Sequence, residues 1–568
     1  MEKTAFPNPV RARMATQLLD GIWSFGYDNE KWQDIRVPYC PESELSGVRN
    51  TDFIPVCYYK RTFTPQEKGK RVLLNFGAVD YFSQVFVNGK FAGEHKGGYT
   101  PFCFDITDLL REGENELSLC VRDYNLTDQP RGKQSFKKQS FGCFYTRTTG
   151  IWQSVWLEYA PENRIDKFYF YPDIDRGAVN VDLFVKGKGN YRAEVSFGGK
   201  IVGISEGRAE YRKKFRIGLD EKHLWDLGKG NLYDVRIVYE GDEVFSYFGL
   251  REVGYEGMEF VLNKRAVFQK LVLDQGYYPD GIYTAPDLAA MQKDIDIALD
   301  LGFNGARLHQ KVFDPKFLYL CDKAGYMVWG EFPGWGVDYH DLAGVGQFLN
   351  EWEEALARDF NHPCIVTWCP LNEAWGAWDD AKKKRDVRYI DIVYNFTKIY
   401  DVTRPCVDVS GGHHGHKTDL YDFHCYESTD NLRKYLALLD EKDVLEVPLL
   451  YCKGERLRYK KGIPVNISEF GGIALGVKTD ETNTVNEGAV QSEETWGYGK
   501  GEQDGGAFVK RYEELAKLLF SCKKLSGFCY TQLYDVEQEQ NGFYDYHRND
   551  KLTAEQKRAI RKINGLRS

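Results

Sequence analysis

Alternating apolar and polar positions dominate the first 160 residues. Residues 72–76 (VLLNF), residues 85–87 before Asn88-Gly89, and residues 116–122 (ELSLCVR) are short strand-like runs. Asn-Gly between two such runs favours a tight hairpin turn. Because no helical period is sustained here, the pattern predicts a β-sandwich over residues 1–160.

Residues 161–257 repeat this pattern on a smaller scale. The runs 179–185, 192–197 and 231–239 alternate polar and apolar side chains. Roughly 95 residues of such strands fit an immunoglobulin-like sandwich. We therefore expect a second β-domain over residues 161–257.

From residue 258 onward, apolar runs alternate with amphipathic segments. One segment, 315–324, has Asp314 before it, Pro315 at its start and Gly325 after it, which are helix start and stop signals. Eight apolar runs are strand candidates: 268–276, 303–310, 326–332, 365–373, 406–411, 420–426, 464–471 and 527–535. Eight such alternations predict a (β/α)8 barrel over residues 258–568. The alternative, a doubly wound sheet, lacks a glycine-rich phosphate motif.

Composition excludes several classes of protein. The net charge of −9 argues against nucleic-acid binding, and no apolar run is long enough for a membrane helix. The 13 cysteines are odd in number and form no C-x-x-C pair, which favours free thiols in a reducing compartment. The chain begins without an apolar leader, so we expect a cytoplasmic protein, with a periplasmic location as the alternative.

Two glutamates lie where apolar barrel strands end. Glu373 closes the fourth run and Glu469 the seventh. The carboxyl ends of barrel strands face the active site. A lone glutamate there is usually just solvated, but two facing carboxylates suit glycosidic bond cleavage. One protonates the leaving oxygen, and the other attacks the anomeric carbon or activates a water.

Several motifs along nearly the whole chain resemble those of glycoside hydrolase family 2, the β-galactosidase, β-glucuronidase and β-mannosidase group. They are residues 77–89, 150–156 (GIWQSVW), 248–252 (FGLRE), Asn361-His362-Pro363 with Trp368 and Asn372-Glu373, and 468–471 (SEFG). The resemblance implies an N-terminal sugar-binding jelly roll, an immunoglobulin-like domain and a catalytic TIM barrel.

The resemblance also implies roles for five residues. Glu373 would be the general acid/base and Glu469 the nucleophile. Asn372 would bind the substrate 2-hydroxyl. Arg307 would keep Glu469 ionised, because a nearby cation lowers a carboxylate pKa, although a salt bridge at the barrel end is the alternative. Tyr426 would orient the nucleophile.

Further candidates for substrate binding are His309, His424, Asp274 and Trp335. Each has a structural alternative: the histidines could fill the barrel, Asp274 could cap its strand, and Trp335 could serve packing alone. Glu331 is a further candidate after the third strand, and Trp335 and Trp375 could each stack on a sugar face or be structural. The run 411–416 (GGHHGH) suggests a metal site, but no acid or cysteine completes it, so we expect a loop at the pocket rim and no metal or cofactor.

The resulting prediction is an exo-acting retaining β-glycosidase with a carbohydrate substrate and no nucleic-acid or membrane partner. A non-catalytic carbohydrate-binding protein is the rival, and a homo-oligomer is left open. The eighth run lacks the tryptophan that often forms the pocket floor in this family, which leaves the sugar open.

The terminal sugar is predicted from charge. A glucuronide needs a cation, which β-glucuronidases of this family supply by an Asn-x-Lys motif after the eighth strand. Here residues 536–542 (VEQEQNG) contain two acids and no lysine, although Arg548 and Lys551 could reach back. We therefore expect a β-galactoside in preference to a β-glucuronide or a β-mannoside.

Overall fold

The computed structural model describes residues 2–27, 31–339, 342–374, 387–449, 456–475 and 495–567. Within these ranges every cysteine is a free thiol. No helix formed by them is both long enough and apolar enough to cross a membrane.

The N-terminal domain is the predicted jelly-roll sandwich. A four-stranded sheet, in the order β10-β6-β13-β2, faces a six-stranded one, in the order β4-β3-β5-β11-β8-β9. Asn88 and Gly89 both have positive φ and join β8 to β9, as the hairpin signal predicts. The strands are β1 Ala12–Arg13, β2 Thr16–Leu18, β3 Gly21–Tyr27, β4 Lys31–Val37, β5 Val56–Phe63, β6 Arg71–Phe76, β7 Val79–Asp80, β8 Phe82–Val87, β9 Lys90–Lys96, β10 Phe102–Asp105, β11 Asn115–Arg122, β12 Gly150–Ile151 and β13 Val155–Ala160.

The second domain is built on two long antiparallel strands. Strand β15 pairs with β16 along its length, with β14 through its first half and with β17 through its second half. This arrangement folds one sheet around an apolar core. The strands are β14 Arg164–Asp173, β15 Ala178–Phe197, β16 Lys200–Gly218, β17 Tyr233–Tyr239 and β18 Asp242–Phe248.

The first strand of the chain belongs to the sheet of the second domain. Strand β1 pairs with the edge strand β18. The Arg13 guanidinium donates two hydrogen bonds of 3.0 Å to Asp242 and also contacts Glu158 of the first domain. All three side chains are buried, so the pairing ties the two β-domains together.

The C-terminal domain is a parallel barrel preceded by a small antiparallel sheet. The order of the barrel strands is β25-β24-β23-β22-β32-β29-β26. The strands of this region are β19 Val253–Glu256, β20 Glu259–Leu262, β21 Arg265–Ala266, β22 Gln269–Asp274, β23 Gly305–Leu308, β24 Met327–Glu331, β25 Ile365–Cys369, β26 Tyr421–Cys425, β27 Glu446–Pro448, β28 Arg456–Arg458, β29 Val465–Gly471, β30 Ile473–Leu475, β31 Tyr498–Glu502 and β32 Leu525–Thr531. The helices are α1 Leu288–Asp300, α2 Pro315–Ala324, α3 Leu342–Asp359, α4 Val387–Tyr400, α5 Thr429–Lys442, α6 Gly505–Ser521 and α7 Ala554–Asn564.

Helix α2 begins and ends at the predicted residues. The Asp314 carboxylate accepts a hydrogen bond of 2.7 Å from the Lys316 backbone, and Gly325 adopts a left-handed conformation after the last turn. The multidomain architecture, a jelly roll, an immunoglobulin-like sandwich and a (β/α)8 barrel, is confirmed. The domain boundaries at 160/161 and 257/258 stay predictions.

The predicted fifth barrel strand, 406–411, is not a regular strand. It contacts the fourth strand region only through isolated parallel bridges at Cys406 and Ser410. Two of its N–H groups, of Val407 and Ser410, donate to backbone carbonyls of the fourth strand region. Side chains bind two others: Asp419 accepts from Cys406 over 2.8 Å, and Asp422 accepts from Gly411 over 3.0 Å. The apolar run therefore fills the fifth position of the barrel without a ladder.

Candidate active site

The two predicted glutamates lie side by side at the carboxyl end of the barrel. Glu469 belongs to β29, and Glu373 follows β25. A carboxylate oxygen of Glu373 lies within 4.8 Å of a carboxylate oxygen of Glu469, and both side chains are buried. Glu373 has a φ of 43°, and its N–H donates to Ser410 O over 2.8 Å. Such a left-handed conformation is uncommon outside glycine and concentrates at functional sites.

His424, on β26, joins the two carboxylates. Its Nδ1 is 2.7 Å from Glu373 Oε1 and 3.3 Å from Glu469 Oε2. Its Nε2 is 2.9 Å from the Ser410 hydroxyl and 3.0 Å from the Ser468 hydroxyl. These contacts place His424 within the site. Burial alone would lower its imidazole pKa, but the neighbouring carboxylates of Glu469 and Glu373 raise the pKa overall.

Arg307, on β23, binds three side chains of the site at once. Its guanidinium donates to Glu469 Oε1 over 2.9 Å, to Asn372 Oδ1 over 2.6 Å and to Glu331 Oε2 over 2.6 Å. Burial alone would raise the pKa of Glu331, but Arg307 and His309 lower it to about 2. Arg307 is fully buried, so this network of charges is shielded from water.

The surroundings of Glu469 keep its carboxyl group ionised. Burial alone would raise the pKa of this carboxyl. The positive charges of His424, Arg307 and Lys133 outweigh burial and hold the pKa well below its ordinary value.

Tyr426 also contacts Glu469, as predicted. Its hydroxyl donates to Glu469 Oε2 over 2.6 Å and lies 2.9 Å from the Thr531 hydroxyl. Its ring stacks on Tyr498, with centroids 3.5 Å apart and the planes 4° from parallel. This stacking fixes the direction of the hydroxyl, so the carboxylate has a defined orientation.

Asn372 and Trp335 form another wall of the site. The Trp335 indole N–H donates to the Asn372 carbonyl over 2.9 Å. The Asn372 amide nitrogen, Nδ2, is buried and has no hydrogen-bond partner among the described residues. A buried donor without a partner is costly, so Nδ2 is available to a ligand.

His309 and Asp274 have partners away from the glutamate pair. His309 Nδ1 is 3.1 Å from Glu331 Oε1, and burial lowers the imidazole pKa to about 4. The Asp274 carboxylate accepts from the Tyr534 hydroxyl over 2.5 Å and from the Gly276 N–H over 2.9 Å. Asp274 therefore closes its strand, the alternative left open above, and its role in substrate binding stays a prediction.

No pattern in the sequence indicated Lys133, a residue of the jelly-roll domain that lies beside Trp335. Its ammonium group lies 4.5 Å from the centre of the Trp335 ring, and the side chain is 6% exposed. Burial alone would lower the pKa of the ammonium group. The nearby Cys143, Glu539, Glu469 and Glu373 raise this pKa overall, so the group stays charged. A single lysine in a loop has no local signature of such a role.

The two acids after the eighth strand also contact the jelly-roll domain. The Glu537 carboxylate accepts from the Thr146 N–H over 3.0 Å. The Glu539 carboxylate accepts from the Tyr145 hydroxyl over 2.5 Å. Burial raises the pKa of both glutamates, and for Glu539 the charge of Lys133 opposes this rise.

Arg548 and Lys551, named above as an alternative source of a cation for the sugar, contact other groups. Arg548 donates to Asp294 Oδ1 over 2.9 Å and stacks on Tyr534. Lys551 donates to Asp535 over 2.8 Å. Both are held by partners of the barrel itself.

The histidines of the loop 411–416 do not converge. His414 Nδ1 is 2.5 Å from Asp408 Oδ1, whereas His416 Nδ1 is 2.6 Å from Asp391 Oδ2. Two groups of ligand-type side chains could hold an ion in the described ranges: Asp322 with His362 and Cys364, and the glutamate pair with His424. Trp375, the other candidate for stacking on a sugar, lies outside the described residues.

Comparisons with known proteins agree with these features. Residues 24–161 match the model of the glycosyl hydrolases family 2 sugar binding domain, and residues 284–459 match that of the family 2 TIM barrel domain. A β-galactosidase of Thermoanaerobacter pseudethanolicus is 27% identical over 65% of this chain, a match that spans 52% of the relative's own length. A β-glucuronidase of Mus musculus is 26% identical over 84% of this chain and 80% of its own.

Solved structures share the whole fold. A family 2 β-galacturonidase from Eisenbergiella tayi superposes with a TM-score of 0.75 at 21% identity, covering 98% of both chains. A β-glucuronidase from Dictyoglomus thermophilum superposes with a TM-score of 0.76 at 19% identity, again over 98% of both. At these identities the likeness concerns the fold alone.

Proposed function

Because the chain belongs to glycoside hydrolase family 2, we propose that it is an exo-acting retaining β-glycosidase that hydrolyses terminal β-linked sugars. The observation that carries the proposal is the short distance between Glu373 and Glu469, whose nearest carboxylate oxygens lie within 4.8 Å. Retaining glycosidases hold their carboxyl groups about 5–5.5 Å apart, whereas inverting enzymes need about 6.5–9.5 Å for a water.

Glu469 is the nucleophile in this mechanism. Its lowered pKa keeps the carboxylate ionised, and Arg307 and Tyr426 fix its two oxygens. One oxygen attacks the anomeric carbon while the bond to the leaving oxygen breaks. Glu373 gives its proton to that oxygen, and a glycosyl ester of Glu469 results.

Glu373 then acts in the opposite direction. Its carboxylate takes a proton from a water, whose oxygen attacks the anomeric carbon and breaks the ester bond to Glu469. The sugar leaves with its original configuration, and both glutamates return to their starting states. The Asn372 Nδ2, a buried donor without a protein partner, binds the substrate 2-hydroxyl.

The test is the configuration of the first product. Proton NMR of nitrophenyl β-glycoside hydrolysis should show the β-anomer first, with the α-anomer appearing only by mutarotation. Initial α-anomer would exclude Glu469 as a nucleophile. Release of no aglycone from any nitrophenyl β-glycoside would favour the rival function, a carbohydrate-binding protein.

The terminal sugar is a separate question. The predicted preference for a β-galactoside depends on a pocket without a free cation, and Lys133 beside Trp335 is a cation that the prediction did not include. The relatives named above include enzymes for both neutral and acidic sugars. A side-by-side measurement of kcat/KM on nitrophenyl β-galactoside, β-glucuronide and β-mannoside decides among them.

A further inference from the structure

We propose that Lys133 determines specificity by binding an acidic group of the terminal sugar, so that the preferred substrate class is a β-uronide. The inference rests on the proposed function and adds a residue from the jelly-roll domain to the sugar site in the barrel.

The loop that carries Lys133 is held against the barrel by its backbone. The Arg131 N–H donates to Trp335 O over 2.8 Å, and the Gly132 N–H donates to Pro333 O over 3.2 Å. Gly132 has a φ of 58°, and a Cβ there would lie 2.3 Å from Gln310 O. Only glycine fits this approach, so the loop places Lys133 over Trp335 in a defined position.

The ammonium group has no acidic partner of its own. Among the described residues, no carboxylate oxygen lies within 4.0 Å of Lys133 Nζ. A buried charge needs a partner, because its lost hydration is costly. The ammonium group lies over the face of Trp335, 4.5 Å from the ring centre, and that indole in turn donates to the carbonyl of Asn372 in the proposed sugar site.

The neighbouring polar groups favour an acidic ligand over a neutral one. Glu539 accepts hydrogen bonds from Tyr145 and from Asn541 Nδ2, the latter over 3.1 Å, so its oxygens already have donors. Gln310 Nε2 is a second buried donor beside Trp335, and it has no hydrogen-bond partner among the described residues. An ammonium group and a free amide donor beside Trp335 are complementary to a carboxylate.

The experiment compares substrates that differ only at the sixth carbon. The wild-type enzyme should have a higher kcat/KM on nitrophenyl β-galacturonide or β-glucuronide than on nitrophenyl β-galactoside. Lys133→Met should lower kcat/KM on the uronides by about 10- to 100-fold more than on the galactoside, the range for a lost charge-assisted hydrogen bond, because any effect of the lost charge on Glu469 is common to both substrates. Lys133→Arg should restore part of the uronide activity.

Two controls keep the outcome interpretable. Lys137→Met removes an exposed lysine of the same loop and should leave both substrates unchanged. Galacturonate and galactose, tested as inhibitors of the wild-type enzyme, give the same comparison without a variant, and galacturonate should bind more tightly.

Three results would overturn the inference: preference for the galactoside, tighter binding of galactose, or an equal loss on both substrates in Lys133→Met. In each of these cases the enzyme would still hydrolyse a glycoside, so the proposed function would stand. Failure of the wild-type enzyme on every glycoside would remove the proposed function instead.

Discussion

The Arg307 guanidinium donates to Oε1 of Glu469 over 2.9 Å, and water reaches neither group freely. In a dry site such a pair fixes both the position of the carboxylate and its charge. The same guanidinium binds Asn372, so one side chain aligns the proposed nucleophile with the proposed donor to the 2-hydroxyl.

Arg307→Gln should raise the pKa of Glu469, because burial then acts against a weaker positive field. Since Glu469 must be ionised to attack, the acidic limb of the pH profile of kcat/KM should move to higher pH. Arg307→Lys keeps the charge but not the planar fork, so it should lose activity with a smaller displacement of the limb. Thermal unfolding of each variant controls for the unpaired Glu331, and an unmoved limb would contradict the role of Arg307.

Substitution of each glutamate should separate their roles. Glu469→Gln should remove nearly all turnover on every substrate. Glu373→Ala should lose about 10²–10⁴-fold on substrates with poor leaving groups and much less on dinitrophenyl glycosides, which need little protonation. Azide should partly restore Glu373→Ala and yield a β-glycosyl azide. Wild-type turnover in Glu469→Gln would make the mechanism wrong.

Tyr426→Phe should lower kcat by about one to two orders of magnitude, because a charge-assisted hydrogen bond to Glu469 is lost. The matched control is Tyr435→Phe, whose hydroxyl donates to Glu427 over 2.8 Å, away from the glutamate pair. Steady-state kinetics on one aryl glycoside measures both. Equal effects of the two substitutions would show that the loss is one of packing.

Glu351 should make stability depend on pH where the jelly roll meets the barrel. This buried side chain of α3 accepts from the Tyr81 hydroxyl over 2.7 Å, and burial raises its pKa to about 8 from an ordinary 4.5. Between these two values the folded protein holds a proton on Glu351 that the unfolded chain releases. The contribution of Glu351 to the free energy of unfolding is therefore complete below about pH 4.5 and is lost as the pH rises through about 8. The free energy of unfolding, measured by urea titration between pH 6 and 9, should fall less steeply with pH for Glu351→Gln than for the wild type. Parallel curves would contradict this assignment.

The local pattern was sufficient for most of the fold. Apolar runs located seven of the eight barrel strands, and Asp314 with Gly325 located a helix. Both glutamates could be found because parallel barrel strands bring their carboxyl ends together, so position along the strand determines position in the site.

The remaining features depend on contacts between distant parts of the chain. The run 406–411 failed as a strand because Asp419 and Asp422 bind its backbone, and hydrophobicity does not report such partners. Lys133 lies on a loop of another domain, and backbone hydrogen bonds hold that loop against the barrel. Almost any sequence could form such bonds, and only the close approach at Gly132 requires a particular residue. Asp274 ended a strand as expected, but the Tyr534 hydroxyl occupies its carboxylate.

The pairing of β1 with β18 constrains the order of synthesis and folding. Arg13 and Asp242 are 229 positions apart, so the first strand leaves the ribosome long before its partner exists. At a translation rate of about 5–20 residues per second, the delay is on the order of 10–50 seconds, far longer than a small domain needs to fold. The jelly roll therefore folds with one end of its chain unattached, and the two β-domains lock together only when the edge of the second sheet emerges.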